Sequence, residues 1–389
     1  MRKNLISLRI SAAAGVLAFG VTLCAAAQQA APARTAEQQY KNIQALKGTP
    51  ANQVVPAMHL IEKALGVDCE FCHEEDRAAD TKEPKQTARK MIAMVMDINK
   101  NNFGGVQTVT CYTCHHGVAD PVTTPILPTG EAMAEGVPEL PDTSKWPTAD
   151  QIVAKYVQAL GGEQALRKVT SRSITATWDI PTGAGGNIPV PAQVERYDKA
   201  PNLTLSINHT PGYTTAMGFD GTTYWLQDAR GGVTDAPALD QGHLKRGADF
   251  YEPLDLKKIY SSLSVTGVET VNGHDAYRVD GALPNAKPDH LFFDAISGLL
   301  VRKVVSVPTP VGDHPIAIEY DNYQKTSSGV LFPFTIRMIP GAPYTQFALF
   351  SHSTLRVQKV DDNAAIDDAK FTRPQSAPAP AGRGGRGGQ

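Results

Sequence analysis

A five-residue pattern, C-x-x-C-H, occurs twice between residues 69 and 115 and uses four of the five cysteines of the chain. The two copies read Cys69-Glu70-Phe71-Cys72-His73 and Cys111-Tyr112-Thr113-Cys114-His115. Two thiols on one helical turn can add to the two vinyl groups of a haem, and the histidine that follows can bind the iron. The spacing therefore predicts two covalently bound haem c groups, with thioethers at Cys69, Cys72, Cys111 and Cys114 and axial ligands at His73 and His115.

Other uses of paired cysteines fit this pattern less well. Two pairs that each carry an adjacent histidine supply more ligands than one tetrahedral zinc ion takes. A thioredoxin-like motif belongs to a βαβ unit and is not expected twice in so short a stretch. Disulfides are the default outside the cytoplasm, but four thiols used as thioethers leave none for a disulfide.

The first residues have the pattern of a secretory signal. Basic residues precede an uncharged apolar run, Ile10–Leu23, and small residues follow at Ala25–Ala27. We expect residues 1–27 to be a signal peptide that is removed together with Cys24, with an uncleaved anchor as the alternative. No later segment is long and apolar enough to span a bilayer, so the expected location is exported, either periplasmic or membrane-associated on the periplasmic side.

Charge and composition exclude two broad classes. The chain has 37 basic and 39 acidic residues, and its formal net charge of −2 offers no surplus to neutralise a phosphate backbone, so nucleic acid is not an expected partner. Its 42% apolar content is that of a globular protein rather than a disordered one, and 389 residues leave room for two or three domains.

The sixth iron ligand decides between an electron carrier and an enzyme with an open iron site. Met58 lies on a predicted helix face that Gly66 can end, and a thioether is a known partner to histidine in c-type cytochromes. His59 competes with it, but is turned about 100° from that face. The four residues of the face follow helical spacing: Val54, Met58, Ile61 and Leu65.

A second helix is predicted between the motifs, from about Lys85 to Asn99, with Pro84 at its start. It carries three methionines, Met91, Met94 and Met96, and spacing alone does not choose among them. Those that do not bind iron should pack in the haem pocket. His116 is expected to pair with a haem propionate or to be solvated.

These segments resemble the cytochrome c subunit of photosynthetic reaction centres over about residues 40–120. The resemblance implies that an axial methionine precedes each motif, which selects Met58 for the first haem and Met91 for the second. It also implies a redox partner protein, either a photosynthetic reaction centre or another membrane electron-transfer complex. Two departures are that this chain has two motifs instead of four and lacks a histidine in residues 101–107. The matching segments are Met58 with Leu65-Gly66-Val67-Asp68-Cys69 to His73, Ala88-Arg89-Lys90-Met91-Ile92 with Asn99, and Val109-Thr110-Cys111-Tyr112-Thr113-Cys114-His115.

The rest of the chain has a different pattern. Six prolines in residues 121–147 indicate a semi-rigid linker. A helix then begins at a capping box, Thr148 with Gln151, and is followed by segments that alternate apolar and polar residues with x-Gly turns between them. This layout predicts an antiparallel β-rich domain at residues 148–374, covered by the helix, and a disordered tail at residues 375–389.

The sheet layout loosely resembles the half-barrel of periplasmic lipoprotein carriers, which implies a lipid or small ligand as a partner. The residues show no catalytic triad, carboxylate pair or phosphate loop. Five histidines are scattered singly and are expected to be surface or hydrogen-bonded residues: His243, His274, His290, His314 and His352.

The predicted fold class is therefore α+β with two domains, an all-α dihaem cytochrome c domain at residues 36–120 and the β-rich domain. The predicted function is electron transfer outside the cytoplasm, without catalytic residues. Two alternatives stay open: a peroxidase-like haem enzyme with an open iron, and a lipid or ligand carrier to which a haem module is attached.

Overall fold

The computed structural model describes residues 34–121, 145–181, 189–236, 238–284, 286–339 and 353–375, all of which belong to one compact unit. The predicted signal peptide lies outside the described residues, as do residues 122–144 of the predicted linker and residues 376–389 of the predicted tail.

Residues 34–121 are helical, and their only β pairing in the described part is an isolated bridge between Thr35 and Pro50. Gly66 ends the second helix with φ +65°, as predicted, and Pro84 lies in the first turn of the fourth. The helices are α1 (Ala36–Gln39), α2 (Val54–Leu65), α3 (Cys69–Cys72), α4 (Glu83–Asn102) and α5 (Cys111–His115), with a 3₁₀ turn at Ala51–Gln53.

The second part of the chain forms a 13-stranded antiparallel sheet, which confirms the predicted antiparallel domain. Its order is β6-β5-β4-β3-β2-β1-β13-β12-β11-β10-β9-β8-β7, so two meanders are joined where the first strand pairs with the last. The strands are β1 (Ser171–Pro181), β2 (Pro189–Lys199), β3 (Leu203–Thr210), β4 (Tyr213–Phe219), β5 (Tyr224–Gln227), β6 (Val233–Asp235), β7 (Ser262–Val271), β8 (His274–Leu283), β9 (Ala286–Asp294), β10 (Leu300–Thr309), β11 (Gly312–Lys325), β12 (Leu331–Ile339) and β13 (Ser353–Asp362).

The predicted x-Gly turns connect neighbouring strands. Gly221, Gly273, Gly298 and Gly329 all have φ between +76° and +92°, which a side chain would disfavour. They join β4 to β5, β7 to β8, β9 to β10 and β11 to β12.

One face of the sheet is covered by helices. The predicted capping box forms, since Gln151 N–H donates to Thr148 Oγ1 (3.2 Å) and Thr148 N–H donates to Gln151 Oε1 (2.8 Å). Tyr156 of the capped helix packs with Phe293 of β9, but Leu256 of a second helix joins the same core. The prediction of one covering helix was therefore incomplete. The helices are α6 (Ala149–Leu160), α7 (Glu163–Arg167), α8 (Ala238–Gly247) and α9 (Glu252–Ile259), and a 3₁₀ turn at Asp368–Phe371 follows the sheet.

The helical part and the sheet share a core. The inner face of α2 packs with Ile92 of α4 and Cys111 of α5, and Val311 from the β10–β11 turn lies in the same cluster at 1% exposure. The structure thus joins the two regions by packing as well as by the linker. Among the described residues, no helix is both long and apolar enough to cross a membrane.

Candidate haem-binding sites

The first motif forms a single helical turn. Asp68 caps α3 by accepting a hydrogen bond from the Phe71 N–H to its carboxylate (3.1 Å), and His73 closes the turn by donating its N–H to the Cys69 carbonyl (2.9 Å). The sequence folds this way because aspartate is a favoured N-cap and the next four residues tolerate a helix. Both thiols and the imidazole therefore come from one short, capped turn.

His73 is suited to bind a metal. Its imidazole is half-buried, and its Nδ1 is buried without a hydrogen-bond partner among the described residues. Burial, with the charges of Lys85 and Arg77, lowers the pKa of His73, so the ring is neutral at neutral pH. A neutral imidazole is the form that coordinates iron.

The loop after the first motif is held by α4. Lys85 is 8% exposed, and its Nζ donates to the carbonyls of Arg77 (3.0 Å) and Ala79 (2.6 Å). The Asp80 carboxylate pairs with Arg89 (2.9 Å) and Lys85 (3.1 Å). These contacts hold the segment that follows His73 against α4. No periodic pattern in the sequence predicts them.

The second motif is also a capped turn. The Thr110 N–H donates to Thr113 Oγ1 (3.0 Å) at the start of α5, and His116 ends the helix with φ +50°. His115 Nδ1 lies 3.1 Å from the Val118 carbonyl. A ring nitrogen that donates to a backbone carbonyl leaves the other one free for a metal, which is the usual second contact of a metal-binding histidine.

His116 is exposed. The centroid of its ring lies 5.5 Å from that of the Tyr112 ring, and the two rings are arranged edge to face. This position agrees with the prediction of a solvated side chain.

The four cysteines of the motifs are all unpaired. Burial raises the pKa of the thiols of Cys69, Cys72 and Cys111, and nearby Glu62 adds to the effect at Cys69. Thioredoxin-type motifs have the opposite shift, because their chemistry needs a thiolate. Within the described ranges, no group of three or more His, Cys, Asp or Glu side chains is arranged to hold a metal ion.

The candidate sixth ligands differ in exposure. Met58 is half-buried and packs beside the core that contains Cys111. On α4, Met91 is half-buried next to buried Ile92, whereas Met94 is 44% and Met96 37% exposed. His59, the competitor of Met58, is buried on another side of α2, with its Nδ1 3.3 Å from Glu62 and its ring 6.2 Å from that of His314 on β11.

Three of the scattered histidines can be compared with the prediction. His274 is exposed, and His290 donates a hydrogen bond from Nδ1 to the Asp280 carboxylate (2.7 Å), both as expected. His314 is 2% exposed and its Nδ1 has no hydrogen-bond partner in the described part of the chain, so the prediction was wrong for this residue. Burial lowers the pKa of His314 to about 4. The side chain of His243 and all of His352 lie outside the described residues.

Large apolar side chains are exposed mainly around the motifs. Among the described residues, eight of the ten exposed large apolar side chains belong to residues 34–121. The eight are Tyr40, Phe71, Met94, Met96, Phe103, Val106, Tyr112 and Val118. Two of them, Phe71 and Tyr112, lie within the motifs, where the free thiols and, at the first motif, the buried ring nitrogen of His73 fit an attached haem.

The helical part has a counterpart among known proteins. Residues 18–151 match the family model of the photosynthetic reaction centre cytochrome C subunit. The photosynthetic reaction center cytochrome c subunit of Rubrivivax gelatinosus is 33% identical over 86 residues, which are 21% of this chain and 24% of that protein. The chain thus matches about a quarter of the length of this relative. Both findings confirm the resemblance stated from the sequence.

The sheet is similar to solved structures of low sequence identity. A LolA superfamily protein from Nitrosomonas europaea is 13% identical with a TM-score of 0.38, and the match covers 58% of this chain and 98% of that one. A DUF1329 family protein from Desulfovibrio piger is 11% identical with a TM-score of 0.37, covering 57% and 96%. Such likenesses carry no argument about function, and the architecture of the sheet is given by its strand pairing.

Proposed function

We propose that this protein is a dihaem c-type cytochrome that relays single electrons outside the cytoplasm. The observation that carries the proposal is the pair of capped C-x-x-C-H turns whose four thiols are unpaired, in a segment similar to the reaction-centre cytochrome subunit family. A haem iron bound by histidine and methionine exchanges one electron between its ferric and ferrous states.

Each motif supplies three residues that hold its haem in this proposal, two cysteines that bond to the porphyrin and one histidine that binds the iron. Cys69 and Cys72 form the thioethers of the first haem, and His73 is its proximal ligand. Cys111, Cys114 and His115 do the same for the second. The hydrogen bond from His115 Nδ1 to the Val118 carbonyl orients that ring and increases the basicity of its other nitrogen.

Met58 and Met91 are the proposed sixth ligands of the first and second haem. The resemblance to the reaction-centre subunit family and the burial of the side chains support this assignment, because Met58 and Met91 are half-buried whereas Met94 and Met96 are exposed. Helix α2 is held to the second motif by a hydrogen bond from Gly117 N–H to the Ala64 carbonyl (2.9 Å), and α4 packs on the helical turns of both motifs.

The described residues of the β-rich part line two cavities. The space between α6, α9 and the sheet measures only about 10 Å³ and is lined by Tyr156, Leu256, Leu291 and others. An open pocket of about 640 Å³ lies at the end of α6, and its lining is mostly polar, with Gln158, Lys168 and Asn363 among its residues. Ligand pockets usually measure about 300–1,000 Å³ and are mostly apolar, so neither cavity favours a lipid carrier. The proposed partner is a redox protein, such as a photosynthetic reaction centre or another membrane electron-transfer complex.

The haem content of the purified protein tests the proposal. We expect a pyridine haemochrome assay and intact mass to give two haem c groups per chain that survive acid acetone. A colourless protein, or one whose colour is extracted by acid acetone, would contradict the proposal. Rapid formation of a carbonyl adduct by the reduced protein would instead favour a haem enzyme with an open iron.

The sixth ligands are tested by the weak far-red absorption band of methionine-bound ferric haem. Met58→Ala and Met91→Ala should each remove one haem's share of this band, because each deletes one thioether. Met94→Ala is the matched control, since it deletes an exposed methionine of the same helix and should leave the band intact. Loss of the band in the control but not in Met91→Ala would overturn the assignment.

A further inference from the structure

The tip of the β10–β11 hairpin enters the core of the helical part. Val311 is 1% exposed and belongs to the cluster formed by α2, Ile92 and Cys111. A valine on the turn of an exposed hairpin would ordinarily face water. Here it lies in the core of another region, in the same cluster as Cys111 of the second motif.

Hydrogen bonds fix the tip in place. Gln107, which lies between α4 and the second motif, donates from Nε2 to the Thr309 carbonyl (2.7 Å). Within the turn, the Thr309 hydroxyl donates to the Gly312 carbonyl (2.5 Å) and accepts from the Val311 N–H (3.3 Å). The turn is therefore both braced internally and tied to the segment that leads into α5.

Gly312 allows this close approach. It has φ +141°, and a Cβ at this position would lie 2.8 Å from Leu60 Cδ2 and 3.1 Å from Thr110 Cγ2. Leu60 belongs to α2, and Thr110 caps α5. The hairpin thus sits between the proposed methionine helix of the first haem and the first residue before the second motif.

The contact continues along β11. The His314 ring lies 6.2 Å from the His59 ring, and both side chains are buried, at 2% and 6% exposure. The interface therefore includes His59 as well as Leu60 of α2, and it is not confined to a single side chain.

We infer that the β10–β11 hairpin is a built-in part of the second haem site, in which Val311 and Gly312 are positioning residues for Cys111 and the start of α5. The inference rests on the proposed function. A haem potential depends on the packing and solvent access around its attachment and ligands. The hairpin meets Thr110, directly before Cys111, and Leu60, on the helix that carries Met58, so it bears on the second haem through its attachment and on the first through its proposed sixth ligand.

The test compares two glycine substitutions at hairpin tips. Gly312→Ala adds a methyl group that clashes with Leu60 and Thr110. Gly273→Ala is the matched control at the β7–β8 tip, because Gly273 also has a left-handed φ (+83°) but no atom within 4 Å of its added Cβ. The haem-loaded full chain is used for both, and Met58→Ala and Met91→Ala assign the signals to the two haems.

Two readouts are taken, the reduction potential of each haem and amide hydrogen exchange. Gly312→Ala should shift the potential of the second haem, whose attachment begins next to Thr110, and should speed exchange in residues 107–115 by about tenfold or more. The control should move neither quantity. Unchanged potentials and unchanged exchange in a folded Gly312→Ala protein would overturn the inference.

If Gly312→Ala does not fold, Val311→Ala replaces it, since this change removes two methyl groups without backbone strain. The same shift of the second haem and the same faster exchange in residues 107–115 are expected, and equally faster exchange over the whole chain would indicate a general loss of stability and refute a positioning role. Absence of haem c from the wild-type protein would refute the proposed function instead. The exchange comparison would then still decide whether the hairpin holds residues 107–115.

Discussion

Replacing Asn99 with alanine is expected to loosen the segment that enters the second motif. Asn99 is 5% exposed near the end of α4, and its side-chain amide makes three hydrogen bonds to main-chain atoms. Its Nδ2 donates to the Val109 carbonyl (2.7 Å), and its Oδ1 accepts from the N–H groups of Thr108 (3.0 Å) and Val109 (2.9 Å). The side chain thus binds both main-chain polar groups of Val109 and the N–H of Thr108, which also donates to the Val106 carbonyl (2.9 Å).

The size of the effect follows from these three contacts. A hydrogen bond contributes about 1 kcal/mol net, so their loss should lower the free energy of unfolding by about 3 kcal/mol. Water can reach part of the site, because Thr108 is exposed, and this keeps the cost from rising to the full desolvation penalty of three buried groups. Asn102→Ala is the matched control, because Asn102 is an exposed amide on the same helix that donates only to the Ile98 carbonyl (3.0 Å).

Urea unfolding followed by far-UV circular dichroism measures both variants, and amide exchange at Thr108 and Val109 locates the change. We expect the midpoint to fall strongly for Asn99→Ala, with faster exchange at both amides, and to change by less than about 0.5 kcal/mol equivalent for Asn102→Ala. A loss below about 1 kcal/mol for Asn99→Ala, or similar losses for both variants, would refute the reasoning.

Two further substitutions test the packing of the helical part. Gly66→Ala should lower the free energy of unfolding by more than the roughly 1–2 kcal/mol of left-handed backbone strain, because its Cβ would lie 2.0 Å from the Gly117 carbonyl oxygen. Gly104→Ala is the control and should cost the strain alone, since Gly104 has φ +60° and no atom within 4 Å of an added Cβ. Equal melting temperatures of the two variants would contradict this. Asp80→Asn should flatten the acid dependence of stability. The Arg89 guanidinium, with Asn42 and Lys85, holds the pKa of Asp80 well below its usual range, so its stabilisation is present above about pH 4 and is lost as the pH falls towards that lowered pKa. Urea midpoints measured from acid to neutral pH should therefore converge at low pH, and a constant difference would contradict the pairing.

Much of the helical part could be predicted because its signals are local. Gly66 and Pro84 mark helix ends through their own backbone preferences, and the capping box at Thr148 acts over three residues. The spacing of Cys69, Cys72 and His73 specifies one turn without any knowledge of the surroundings. The α4 helix is longer than predicted, since Glu83 and Asn102 extend it by residues that carry no apolar periodicity.

The features that could not be predicted depend on distant residues. The sequence around Val311 is that of an ordinary hairpin turn. Nothing in it indicates that Val311 lies in the same core as Cys111, 200 residues earlier in the chain. His314 looked like a scattered histidine because its burial depends on α2, and α9 was missed because Leu256 and Ile259 give only a short apolar pattern. The hydrogen bonds of Asn99 could not be predicted either, because an amide near a helix end usually faces solvent.

The pairing of β1 with β13 has a consequence for biogenesis. Arg172 lies opposite Asp362, and the Arg172 guanidinium donates to that carboxylate (2.7 Å), so the first strand has no permanent neighbour on this side until almost the whole chain has emerged. Its free edge is a target for mispairing during that interval. The cysteine motifs emerge well before Val311 does, so Cys111 leaves the ribosome ahead of the turn that later shares its core.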